Sequence, residues 1–204
     1  MHITWLGSTT LKIQAKPHDQ DITIVIDPYR LETGNSPRSL SPQIALFSRG
    51  LTNAITLSGN PFILAHPGEC EIKGVLVMGI QGRNAPETMF RLDVEGVSLA
   101  HLGMVNTTLT NTQIDALQGT DILCLPVGGE PGLNAETAAK MANILEPRII
   151  IPLAHYSSAD PKATPVQIFL KEMGLTADKP EAKVILKKKD LPEEETKVIV
   201  LRLE

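Results

Sequence analysis

Aromatic side chains make up only 3% of this 204-residue chain. That leaves few flat surfaces on which bases or sugars could stack, and argues against single-strand nucleic acid and carbohydrate as ligands. Basic residues are not in excess either. Nineteen Lys and Arg against 23 Asp and Glu give a formal charge of -4, and no basic stripe offsets it, so nucleic acid is excluded as the main partner. There are only two cysteines, Cys70 and Cys124. They lie far apart in apolar, strand-like stretches, which is neither a metal-knuckle spacing nor a disulfide framework, and two buried free thiols are expected. No apolar run approaches the roughly 20 residues that a membrane span needs. The opening Met-His-Ile-Thr-Trp-Leu-Gly lacks a basic segment followed by an apolar one, so a cytoplasmic protein without a membrane partner is expected. A Gly-x-Gly-x-x-Gly fingerprint and a phosphate loop are missing too, and Gly128-Gly129 without their companions carries little weight.

What is present is ordinary globular material, 42% hydrophobic and 21% charged. A chain of this length fits one domain over residues 1–204, burying roughly 70% of its unfolded surface. Its first half is a series of short β-type runs: 3–6, 11–14, 22–26, 44–47, 62–64, 70–77, 89–94 and 97–100. Beyond residue 110 the period changes. Thr110-x-x-Gln113 reads as a capping box, and Asn134 caps a helix whose Ala138, Met141, Ala142 and Leu145 repeat at helical spacing until Pro147. Thr164-Pro165-Val166-Gln167 reads as a second capping box with proline at the first helical position. The runs 121–125 and 148–152 are continuously apolar, as in strands buried on both faces. Runs at 183–188 and 196–203 read as a closing strand pair joined by the charged turn Lys187 to Glu195. Strands first, then alternating β and α, predict two sheets with helices packed outside, in the α/β (α+β) class.

Several segments resemble the metallo-β-lactamase fold superfamily, in its branch of small zinc-dependent hydrolases similar to L-ascorbate-6-phosphate lactonase. They are Ile3-Thr-Trp-Leu-Gly7, Ile26-Asp-Pro28, Pro67-Gly-Glu-Cys-Glu-Ile-Lys-Gly74, His101-Leu-Gly103, Asp121-Ile-Leu-Cys-Leu-Pro-Val-Gly-Gly129 and Arg148-Ile-Ile-Ile-Pro152. The resemblance implies a four-layer αββα sandwich of two mixed sheets with helices on the outer faces, and a metal site in loops at the strand ends. The residues that hold metal in that family are replaced here. Its Gly-His is Gly7-Ser8, its His-x-His-x-Asp-His cluster is Arg49, Leu51, Asn53 and Ala54, and its Gly-Asp is Gly103-Met104. Only Ile151-Pro-Leu-Ala-His155-Tyr156 keeps a histidine, with one extra residue before it. A guanidinium is a permanent cation, alkyl groups have no lone pair, and a thioether replaces a hard carboxylate poorly.

The expected role is therefore that of a hydrolase homologue without metal, acting in binding or assembly, with no cofactor. The candidate ligand-binding residues are Arg49, Ser8, Met104 and His155, and the candidate catalytic residues are His155 and Asp27. Arg49 at a former metal position could take a small anion bidentately, against the plainer reading of a solvated loop arginine. Asp27 before Pro28 also reads as a turn residue bonding its own backbone. His101 reads as a hydrogen-bonded core histidine, and Glu69 and Glu71 as the polar face of a strand. The alternative is a metal-dependent hydrolase using zinc at a rebuilt or partial site drawn from His66, His101, His155 and Cys124. It requires His155 to meet one of His66, His101 or Asp27 in one cleft. A homo-oligomer, or an inactive subunit beside an active paralogue, is a third option.

Overall fold

The computed structural model describes residues 1–33, 36 and 40–204. Among them run β1 (His2–Gly7), β2 (Thr10–Ala15), β3 (Ile22–Ile26), β4 (Ile44–Leu46), β5 (Phe62–Leu64), β6 (Gly68–Ile72), β7 (Val75–Gln81), β8 (Thr88–Val94) and β9 (Val97–His101). Then follow α1 (Asn111–Leu117), β10 (Ile122–Pro126), α2 (Ala135–Leu145), β11 (Ile149–Leu153), α3 (Val166–Met173), β12 (Val184–Ile185) and β13 (Lys197–Val198). Two mixed sheets result, in the orders β12-β1-β2-β3-β4-β5 and β13-β11-β10-β9-β8-β7-β6.

Period-two alternation along each strand divides the apolar residues between layers. Ile3, Trp5, Ile24 and Leu46 of the first sheet meet Phe90, Leu92, Ile122 and Cys124 of the second in one buried cluster. Behind the second sheet, Leu123, Leu125 and Ile150 pack on Leu117 of α1, Ala138, Met141 and Leu145 of α2, and Phe169 of α3. All three α-helices of the described residues contribute to that layer. The outer side of the first sheet carries instead a small cluster of Tyr29, Ala45 and Phe47 under Ala54, Leu57 and Ala65. No α-helix of the described residues joins it. The central apolar strands are β10 and β11, paired in parallel from Ile122 opposite Ile149 to Pro126 opposite Leu153.

The strands and thiols correct the sequence expectations in three places. The run 70–77 is not one strand, because Lys73 and Gly74 take positive φ of 53° and 77° and turn β6 back onto β7. That is the backbone a two-residue hairpin turn demands. The closing runs do not pair with each other, since β12 adds to β1 and β13 to β11, in different sheets. The thiols also differ, Cys124 being fully buried between the sheets and Cys70 only half-buried on the edge strand β6.

Thr110 forms its capping box with Gln113, and Asn134 caps α2 through Oδ1, which accepts from the Thr137 amide at 2.9 Å. Thr164 caps nothing. Its amide donates to Gly128 O at 2.9 Å and its carbonyl accepts from Tyr156 at 3.0 Å, so Pro165 becomes the N-cap, without a side-chain bond. Thr110→Ala should therefore lower unfolding free energy by about 1 kcal/mol, while Thr164→Ala should stay within about 0.5 kcal/mol of wild type. Urea titrations of the two variants check this.

Candidate functional site

The loops at one end of the strands enclose a cleft of about 410 Å³. Four of the positions that the sequence set against the metal motifs of the resembled family, Ser8, Arg49, Asn53 and Met104, line it together, with Ala154 beside them. The chain thus brings a hydroxyl, a guanidinium, an amide and a thioether to one place. The charged lining is balanced, with Arg30, Arg49 and Lys162 against Glu32, Glu130 and Asp160.

Asp27 lies beneath the cleft, fully buried, at a left-handed φ of 55°. Its carboxylate does not bond its own backbone. Oδ2 accepts from Thr9 Oγ1 at 2.8 Å and Ser48 Oγ at 2.7 Å, and Oδ1 accepts from the Ser48 amide at 2.7 Å. Thr10 Oγ1 donates to the Asp27 carbonyl at 2.6 Å. The β1–β2 turn and the loops after β3 and β4 are thereby fastened to one another. His101, at the end of β9, extends the knot to the second sheet. Its Nδ1 accepts from the Gly103 amide at 3.1 Å, which leaves the proton on Nε2 to donate to Thr9 O at 2.8 Å. Complete burial pushes the His101 pKa down, against the opposing pull of Asp27, so the ring is a neutral structural histidine.

Arg49 is exposed, and its guanidinium stands 4.5 Å from the centroid of the Tyr29 ring. The Arg49 amide donates to Tyr29 Oη at 2.8 Å, and that hydroxyl donates to Gly50 O at 2.9 Å. Burial first, and the charge of Asp27 second, drive the phenol pKa strongly upward, so Tyr29 remains a neutral donor and a fixed platform. Among the described residues no carboxylate lies within ion-pair distance of Arg49. Giving up the ring contact would cost about 0.5–1 kcal/mol.

His155 is not brought to the cleft. The extra residue Ala154 takes a left-handed φ of 51° and its amide donates to Ser8 O at 3.0 Å, so Ala154 lines the cleft. Gly128 makes room, since a Cβ there would collide with the Ala154 carbonyl oxygen. His155 turns inward, with its ring 4.6 Å from that of Trp5, and its buried Nε2 has no hydrogen-bond partner among the described residues. His66 is exposed, and among the described residues its ring bonds only Pro67 O. Neither it, His101 nor Asp27 is a hydrogen-bond partner of His155. Asp160 is the cleft residue the sequence did not single out. Its Oδ2 accepts from the Ser8 amide at 3.0 Å, and burial raises its pKa although that bond opposes the rise. Nothing in Ser158-Ala-Asp-Pro161 separates it from an ordinary turn.

Zinc or manganese would need three or four convergent donors. Among the described residues no group of three or more His, Cys, Asp or Glu could hold a metal ion. The carboxylate oxygens of Asp27 and both ring nitrogens of His101 already serve the knot. The residues present do not fit the metal.

A family model described as a beta-lactamase superfamily domain matches residues 2–154, and this chain belongs to that family. A candidate Zn-dependent hydrolase of the metallo-beta-lactamase superfamily from Thermotoga maritima superposes with a TM-score of 0.83 at 25% identity, over 98% of each chain. The metallo hydrolase Igni18 of Ignicoccus hospitalis shares the fold at a TM-score of 0.66 and 14% identity, over 91% of this chain and 99% of that one. Among curated relatives, a UPF0173 metal-dependent hydrolase of Methanopyrus kandleri is 21% identical over 85% of this chain and 91% of its own length. One from Thermococcus onnurineus is 32% identical, but over 47% of this chain and only 41% of that relative. The fold is that of the metallo-β-lactamases, as the sequence suggested. Among the described residues no helix is long and apolar enough to cross a membrane.

Asp27→Ala strips the acceptor from two hydroxyls and an amide, and should cost about 3 kcal/mol, whereas Asp27→Asn can re-form most of these bonds and should cost clearly less; chemical denaturation separates the two. Both His101 and His155 have pKa values pushed below the ordinary range, chiefly by burial. Below about pH 6.5 the unfolded chain therefore binds protons that the folded chain refuses, and stability falls as pH drops through that window. The urea midpoint should be lower at about pH 5.5 than at about pH 7.5, and His155→Phe should shrink the difference.

Proposed function

We propose that this member of the family is a binding or assembly protein, whose cleft takes a small anion on Arg49 instead of substrate on a metal. The observation that carries this is the guanidinium itself. It stands at a former metal position, braced on Tyr29, with no carboxylate of the described residues paired to it. A planar cation so placed presents two parallel donors to a carboxylate or phosphate. Ser8 and Met104 line the same cleft. Ser8 adds a hydroxyl, and Met104 supplies bulk where the family has a carboxylate. His155 acts through Trp5 and Ser8 as a support for the floor. A single domain over residues 1–204, located in the cytoplasm where unpaired thiols persist, belongs to the same reading. Phosphate or acetate should raise the melting temperature of the wild type, and Arg49→Ala should remove at least about 80% of that increase, while an increase unaffected by the substitution would contradict it.

A second reading is a metal-dependent hydrolase with a rebuilt or partial site, and the names of the relatives favour it over the non-catalytic one. It predicts zinc-dependent turnover of a lactone, ester or phosphodiester. The first reading predicts turnover no faster than in buffer.

A further inference from the structure

We infer that the anion cleft continues into an apolar side pocket, so that its ligand is a small carboxylate or phosphate monoester carrying a short apolar chain. This rests on the anion reading above and deepens it. A second cavity of about 200 Å³ adjoins the cleft and shares Arg49, Met104 and Pro131 with it. The two spaces meet at the guanidinium. The remaining surface of the side pocket is apolar where it is deepest, with Met89 and Leu102 each 2% exposed and Val105 half-buried beside them.

The Ser48, Thr88 and Glu87 side chains of its wall are already engaged, and Asn106 of the wall is exposed to solvent. Ser48 Oγ donates to Asp27, Thr88 Oγ1 donates to Pro86 O at 3.3 Å, and the Glu87 carboxylate accepts from the Arg83 and Asn84 amides at 3.1 and 3.2 Å. A polar substituent placed against the buried Met89 and Leu102 would lose water without finding a new partner there. An alkyl substituent would gain, and two methionine side chains can adjust to its shape. Alone the cavity is smaller than the roughly 300 Å³ at which ligand sites usually begin. Its natural use is as a subsite for the tail of a ligand whose charged head rests on Arg49.

Isothermal titration of the full chain with acetate, hexanoate, inorganic phosphate and hexyl phosphate tests this. Each buried methylene is worth roughly a factor of four, so each six-carbon ligand should bind at least about tenfold more tightly than its short counterpart, with a more negative heat-capacity change. Which head binds better separates the two ligand classes. Val105→Trp, at a half-buried position, should fill the pocket and erase the chain-length preference, and Val105→Phe serves if the larger ring prevents folding. A preference that survives both variants overturns the inference. Equal affinity of short and long anions, still dependent on Arg49, overturns it while sparing the anion reading. Absence of any Arg49-dependent binding overturns both.

Discussion

The carboxylate of Asp27 is the constraint on which the cleft depends. A buried carboxylate is costly unless donors surround it, and here Thr9 and Ser48 supply them from two different loops. Those bonds set the distance between the β1–β2 turn and the segment that begins with Arg49. Thr9 then passes the constraint across the sandwich by accepting from His101. Where a metal could hold such loops together, this chain uses hydrogen bonds in the layer just below. The cleft above keeps its form with no donor cluster among the described residues to hold an ion.

In a family whose named relatives are metal-dependent hydrolases, this chain lines its cleft with Arg49, Ser8, Met104 and Ala154. Asp27 and His101, which fix backbone geometry, are fully buried, and Thr9 and Thr10 bond them from the cleft wall. The fold alone does not dictate activity.

Much of the fold was legible in the sequence because it depends on short-range rules. Alternation placed β1, β2 and β3, the Thr110 box opened α1, and the apolar runs marked β10 and β11 as central. Errors arose where long-range contacts prevailed. Thr164 looked like a cap, but the loops after β10 and β11 claimed its backbone. The last two runs looked like partners, yet each completes the edge of a different sheet. At the cleft, the convergence of Ser8, Arg49 and Met104 was readable from the resemblance. The inward turn of His155 was not, because it follows from one residue, Ala154, adopting a left-handed backbone that Gly128 makes room for. Asp160 was invisible because its role arises from a bond to Ser8 across more than half the chain.

Metal content is the measurement that bears most directly on the proposal that the cleft takes its ligand without an ion. Protein purified without a nickel column would be analysed by elemental mass spectrometry, before and after exposure to zinc and manganese followed by desalting. The account predicts metal far below one equivalent per chain in both samples. One or two equivalents retained per chain, lost on substitution of Asp160 or His155, would contradict it and return the protein to the hydrolases.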